Sequence, residues 1–212
     1  MKYIISITIL VVVSTNALSQ INNKNLFKRF YNNHLKIDVE QKNTQFFAEI
    51  SPQFFAFSGY GAGLGFEFNR FQTGFISLKT NLTPAFRDAI FDNANDISIP
   101  KNAAAEVFAN VFLRKDRKGF YAGTIYSYDW YTAIDTKTQQ REDFTKQYAV
   151  ARLGFRWFPF KEYFYIDGGY GISFNLSGSE KHILGNTEYS PKTVIGLPFF
   201  SVGGRFFLTS NK

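Results

Sequence analysis

The chain has no cysteine. That excludes a disulfide scaffold, thiolate chemistry and any cysteine-based metal site. Histidine is almost as scarce, with two copies, His34 and His182, so histidine acid–base chemistry has only two possible seats. Beyond residue 19 no stretch approaches the ~18 continuous apolar residues that a membrane-spanning helix needs. A helical membrane protein is thereby excluded, and a mature chain that enters a bilayer must do so as a closed barrel. A continuous basic stripe is also missing. The formal charge of +7 becomes +6 once Lys2 is taken away with the leader, and no nucleic-acid partner is expected from so dispersed a surplus.

What the chain has in quantity is aromatic side chains, 19% of its 212 residues, with 26 Phe. The length gives room for one domain. Residues 1–19 read as a secretory signal peptide. Lys2 is the positive start, 3–13 is the apolar core, and Ala17-Leu18-Ser19 places small residues for cleavage before Gln20. The competing reading is an uncleaved anchor, for which the apolar run is short. Residues 20–44 are polar and rich in Asn and Lys. Leu26, Phe27, Phe30, Tyr31, His34 and Ile37 share a stripe if 25–37 is helical. That gives either an amphipathic segment at a membrane surface or a loosely ordered leader.

The most informative stretch is 145–177. It alternates with period 2, the strand period, and its aromatic, β-branched and glycine residues do not suit a helix. It reads as two strands joined by a tight turn at 159–162. Ala149, Ala151, Leu153, Phe155 and Trp157 share one face, with Arg152, Gly154 and Arg156 on the other. Ile166, Tyr170, Ile172 and Phe174 then lie opposite Asp167, Gly169 and Gly171. Six further strands fit the same pattern, near 45–57, 60–68, 71–81, 103–114, 120–131 and 193–208. Pro52 suggests a bulge or interruption in the first of these. Thr83-Pro84 places a helix N-cap before a proline, which predicts a short helix over 84–91. The cluster Asp92, Asn93, Asn95 and Asp96 does not fit a calcium loop and reads as solvated.

The connections supply an independent check. At one end they are 58–59, 82–102, 132–144 and 178–192, three of them long and polar. At the other they are 69–70, 115–119 and 159–162, all short. An even strand number with this asymmetry predicts an all-β fold, an eight-stranded antiparallel up-and-down transmembrane barrel over 45–208, with 209–212 as a tail. The short turns then face the periplasm. Trp130 and Trp157 fall near opposite rims on the apolar face, where interfacial aromatics belong.

Alternation does not say which face points inward, because a soluble lipocalin-like carrier has an apolar interior. Volume and charge decide. An eight-stranded interior is only just wide enough for side chains, so the bulky face belongs outside. The polar face carries Glu49, Glu67, Glu106, Asp129 and Asp167 against Lys79, Arg114, Arg152, Arg156 and Arg205. Such a balance predicts a closed, salt-bridged lumen, since an unpaired buried ion costs several kcal/mol.

On these features the chain resembles the small eight-stranded outer-membrane barrels of the OmpA transmembrane-domain and OmpX/Ail type. Its Asn/Lys/Phe-rich composition and a signal ending in Ser-Gln look like those of Bacteroidota. The resemblance implies contact with outer-membrane lipids and recognition by the barrel-assembly machinery. That machinery reads a terminal aromatic, which Phe206 and Phe207 match although 208–212 runs on past them. It also implies a non-enzymatic protein without cofactor or metal, acting through its exterior loops or as a subunit of an envelope complex with a protein partner. The alternative is a lipid A-modifying enzyme. Its only base in an exterior loop would be His182, near Glu180, Ser177 and Ser179.

Overall fold

The structure, a computed structural model, describes residues 44–160, 162–178 and 180–207. The expected signal peptide, the polar leader with His34, Ser179 and the tail from 208 lie outside the described residues. In chain order the strands are β1 (Gln45–Ile50), β2 (Tyr60–Phe68), β3 (Phe71–Leu82), β4 (Phe91–Asp92), β5 (Ile97–Phe112), β6 (Gly119–Asp135), β7 (Arg141–Phe160), β8 (Phe164–Asn175), β9 (His182–Leu184), β10 (Thr187–Pro191) and β11 (Val194–Phe207). One helix, α1 (Pro84–Ile90), precedes β4. Eight strands close into an antiparallel barrel in the order β1, β11, β8, β7, β6, β5, β3, β2. Closure runs from the pair Gln45↔Phe207 to Ile50↔Val202.

Three elements differ from the sequence expectation. The first strand stops at Ile50, and Pro52 opens a 3₁₀ segment, Pro52–Phe57. Proline cannot donate to a ladder, so the strand ends where that donor would be needed. The segment closes on Ser58 in the left-handed region at φ 52°, whose amide reaches the Phe55 carbonyl. Secondly, 132–144 is no loop. β6 and β7, of 17 and 20 residues, stay paired out to Ile134↔Arg141. About 9–11 residues suffice to cross a membrane, so this hairpin stands well clear of the barrel. Thirdly, 178–192 contains β9 and β10, and β10 pairs with β4 of an earlier connection. Apolar burial drives both rearrangements. Ile90, Phe91, Ile97, Ile99, Tyr131, Leu184 and Tyr189 form a buried cluster at the long-loop end, with Phe91 edge-on to Tyr131 at 5.5 Å.

The barrel wall fixes inside and outside. Outward are Leu64, Phe66, Phe75, Val107, Leu153, Phe155, Tyr170 and Phe200, all exposed, with Leu153 at 69%. Inward lie the charged residues, but not only small ones beside them. Phe47, Phe108, Phe112, Tyr121 and Tyr165 are buried in the lumen, which corrects the expectation of a small-residue interior. Glycines on adjacent strands make the room. A Cβ on Gly65 would stand 2.8 Å from the Phe47 ring, and Cβ atoms on Gly154 and Gly203 would overlap the rings of Tyr121 and Tyr165. The glycine face is therefore the seat of large rings, which occupy the lumen through ring-over-glycine pairs.

Candidate functional site: a charged lumen with an outer chamber

Toward the short-turn end, the lumen is filled by one ionic cluster. Arg156 on β7 is its centre. Its guanidinium donates to Asp167 Oδ2 at 2.6 Å from β8, to Glu67 Oε1 at 2.5 Å from β2 and to Gln72 Oε1 at 3.0 Å from β3. Glu67 has a second oxygen, and Arg117 Nε donates to it at 3.1 Å. Arg117 also donates to Gln45 Oε1 at 2.7 Å. Arg205 Nε stands 2.6 Å from the same Glu67 oxygen, an ion pair without hydrogen-bond alignment. Aromatic rings close the remaining faces. The Arg156 guanidinium carbon lies 3.9 Å from the Tyr165 ring centroid, and that of Arg205 lies 4.2 Å from Phe158. Side chains from β1, β2, β3, β7, β8 and β11, together with the β5–β6 turn, thus tie the wall across its own diameter.

Toward the long-loop end the lumen opens into a chamber of about 230 Å³. Glu49, Glu106, Asp129 and Arg152 line it. Glu49 accepts from the Tyr165 hydroxyl at 2.9 Å. Asp129 accepts from the Ser127 hydroxyl and from Asn102 at 3.2 Å. Arg152 donates to Asn110 at 3.0 Å and stacks over Phe108 at 4.8 Å.

Of the ten charged residues expected in the lumen, eight are there, in two groups. Glu67, Arg156, Asp167 and Arg205 belong to the ionic cluster; Glu49, Glu106, Asp129 and Arg152 surround the chamber. Two are elsewhere. Lys79 points outward, paired with Tyr60 and Ala103 at the long-loop rim. Parity decides this: Gln72, Ile76 and Thr80 are the buried positions of β3, so the odd residues face out. Arg114 sits in the β5–β6 turn on Asp116 at 2.6 Å and is 28% exposed. The lumenal cations that replace them are Arg117 and Lys146, both buried. Lys146 shares the parity of Arg152 along β7 and was legible. Arg117 was not, because it enters the lumen from a turn at φ 58°, where no alternation applies. Trp130 and Trp157 face outward at opposite ends of the wall, at 43% and 57% exposure.

An apolar belt on the outside and charge within is the reverse of a soluble carrier, and a belt of this extent is stable only against lipid. The fold is that of an integral outer-membrane protein. Its short turns mark the periplasmic end and its long connections the exterior. No protein-family model and no curated protein matches the chain. The solved structures similar to it are outer-membrane barrels. They include the N-terminal barrel domain of Pseudomonas aeruginosa OprF, at 12% identity and TM-score 0.43, covering 78% of this chain and 98% of that one. A major outer membrane protein from Thermus thermophilus is similar at 9% identity and TM-score 0.45, covering 77% and 99%. Neisserial surface protein A is similar at 11% and 0.41, covering 77% and 96%. None of the three bears on a Bacteroidota origin.

On the exterior side, His182 is placed differently from expectation. Its Nδ1 lies 2.7 Å from Glu142 Oε1 on β7, and its ring stacks between Phe144 and Tyr189. Tyr189 donates to the other Glu142 oxygen at 3.1 Å. Burial and that carboxylate push the Tyr189 hydroxyl well above the usual range for tyrosine. Ser177, a candidate partner for His182, instead accepts from the Gln147 amide at 2.8 Å. The His182 ring is a packing and hydrogen-bonding element of the exterior cluster. Among the described residues, no group of acids and histidines is arranged to hold a metal.

Proposed function

We propose that this barrel is a non-enzymatic outer-membrane protein that conducts nothing along its axis and acts at the cell exterior, alone or as a subunit of an envelope complex. The observation that carries the reading is the cluster around Glu67 and Arg156. It joins opposite walls with buried ions, which supports a lumen blocked toward the periplasmic end. The exterior supports the second half. Its connections are shaped by a common apolar cluster rather than left as separate loops, so the β6–β7 hairpin and the β4–β10–β9 sheet present a fixed surface.

Planar-bilayer recording of the purified full chain tests the sealed lumen: no stable conductance steps are expected, and large persistent steps would overturn it. The native mass after mild-detergent extraction then separates a lone barrel from a subunit. Replacing His182 with Ala is expected to leave lipid A unchanged by mass spectrometry. A changed lipid A profile would restore the enzyme reading.

A further inference from the structure

The barrel wall is not continuous. β1 pairs with β11 only up to Ile50↔Val202, while β8 remains paired with β11 as far as Val194. Over Val194–Ser201, no strand among the described residues takes the β1-side edge of β11. Both halves of the missing seam carry a proline. Extending the β1–β11 register would set Pro52 opposite Phe200 and Phe54 opposite Pro198. A proline is tolerated inside a strand where its missing donor faces an unpaired edge. The β8 side of β11 is paired, so the free edge is the one that β1 abandons. The departing chain stays attached to β2, through the Ser51 amide on the Gly61 carbonyl at 2.9 Å. The ladder is therefore broken on the β11 side alone, and the 3₁₀ segment stays beside β11 without pairing to it.

The outer chamber reaches β11 beside this gap. Its lining includes Leu197, Phe199 and Ser201, whose side chains face the lumen, and also Pro198 and Phe200 next to the open edge. Phe54 and Phe57 of the 3₁₀ segment form the opposite lip. The chamber is thus apolar at the wall and polar at its inner end, where Glu49, Glu106 and Asp129 share the lining with one guanidinium, Arg152, while Glu49 also feels the charge of Arg156 below it. Arg152 forms no ion pair among the described residues and is held by Asn110 and by Phe108. Lys146 points instead to the Gly178 carbonyl at 3.4 Å and does not line the chamber. The inner end carries more carboxylate than base.

We infer that the outer chamber binds a single-chain amphiphile with an amine head, entering sideways from the outer leaflet through the β1–β11 gap. The head meets the carboxylates and the chain lies between Phe54, Phe57 and Phe199, extending into the bilayer. A protein surface with unsatisfied strand edge is not stable in bare hydrocarbon, and the 3₁₀ segment with its three Phe residues lies beside that edge. This inference rests on the membrane-barrel reading above and adds a ligand to it.

Two measurements test it. The first uses the wild-type chain in mild detergent, with dodecylamine, dodecanol and dodecanoate compared for retention by native mass spectrometry. Dodecylamine is expected to bind at least tenfold tighter than dodecanoate. That preference should vanish in Glu106→Gln/Asp129→Asn, and all binding should vanish in Ser173→Phe, which fills the chamber. Equal retention of the three probes, no retention, or undiminished retention by Ser173→Phe would overturn the site. The second exploits the absence of cysteine. A nitroxide at Phe199→Cys, in vesicles, should relax with lipid-soluble oxygen more than with an aqueous nickel complex. Relaxation by nickel alone would mean that the chamber opens only to water, and would overturn lateral entry. A nitroxide at Leu153→Cys, on the outer wall, serves as the membrane control. Nickel accessibility there would refute the membrane reading itself, which is a separate failure.

Discussion

Glu67 is the residue on which the proposed sealing of the lumen depends. It is fully buried and receives Arg156 at 2.5 Å, Arg205 at 2.6 Å and Arg117 at 3.1 Å. Glu67→Gln preserves its shape and removes its charge. Among the described residues, the three guanidiniums would then keep a single contact ion pair, that of Arg156 with Asp167. Breaking a buried ion pair from one side costs ~3–5 kcal/mol, because the partner is left charged and desolvated. A second route gives a similar figure. Two of the contacts, from Arg156 and Arg117, are aligned hydrogen bonds, and charge-assisted bonds contribute ~1.5–3 kcal/mol each. Glu67→Gln should therefore lower the unfolding free energy by about 4 kcal/mol. The assay is urea unfolding in lipid vesicles, followed by the fluorescence of Trp130 and Trp157 and by heat-modifiable migration on gels. A double variant, Glu67→Gln/Arg117→Met, removes one of the stranded cations and should recover part of the loss. A loss below ~1 kcal/mol for Glu67→Gln, the range of exposed pairs, would refute the reasoning. It would mean that water reaches the cluster and that the periplasmic end is not sealed.

Two smaller predictions separate the rim and the exterior from the lumen. Lys79 faces outward beside Tyr60 at the exterior rim, where a lysine head reaches water and costs ~0–1 kcal/mol. Lys79→Leu should therefore shift the same urea transition by less than ~1 kcal/mol, whereas a lumenal ion-pair partner would destabilise it as Glu67→Gln does. At the tip of the β6–β7 hairpin, Asp135 accepts the Thr138 and Lys137 amides at 2.8 Å each. The Thr138 amide above all holds its carboxyl below the usual carboxylate range. A depressed carboxyl stabilises the fold above its unfolded pKa of ~3.9 and loses that contribution as the pH falls through its folded value. Hydrogen exchange at the Lys137 and Thr138 amides should accelerate below that range in the wild type. In Asp135→Ala it should be fast at every pH, and a wild-type tip indifferent to acid would refute the assignment.

The barrel was legible in the sequence because the membrane imposes one rule on every outward position. Leu64, Phe75, Leu153 and Tyr170 need only be apolar, and each strand repeats the requirement independently. The interior has no such rule. Phe47 is acceptable inside only because Gly65 and Gly74 lie beneath it, and those glycines belong to other strands. Lys79 was misplaced for a related reason. Charge alone suggested the lumen, while the parity set by Gln72, Ile76 and Thr80 put it outside. The exterior cluster was hidden more deeply. Phe91, Leu184 and Tyr189 sit in stretches that look polar as a whole, and only the pairing of β10 with β4 brings them together.

Pro52 shows how far a local signal reaches. The sequence places an interruption at that residue, because proline withholds a donor. It does not say which neighbour loses its partner, since the chain could detach from β2 or from β11. Ser51 settles the choice by keeping its bond to Gly61, and Pro198 sits in the strand that is left open. One proline in a β-strand is an isolated irregularity. Two prolines on strands far apart in sequence, meeting at the single seam where the first and last strands close the barrel, are one feature of the wall. The same argument explains why the interior divides as it does. Below the seam, where β1 and β11 are zipped, the cross-section is complete and charges are paired. Above it, among the described residues, β11 has no partner on the β1 side, and the lumen widens into the chamber lined by Glu49, Glu106 and Asp129.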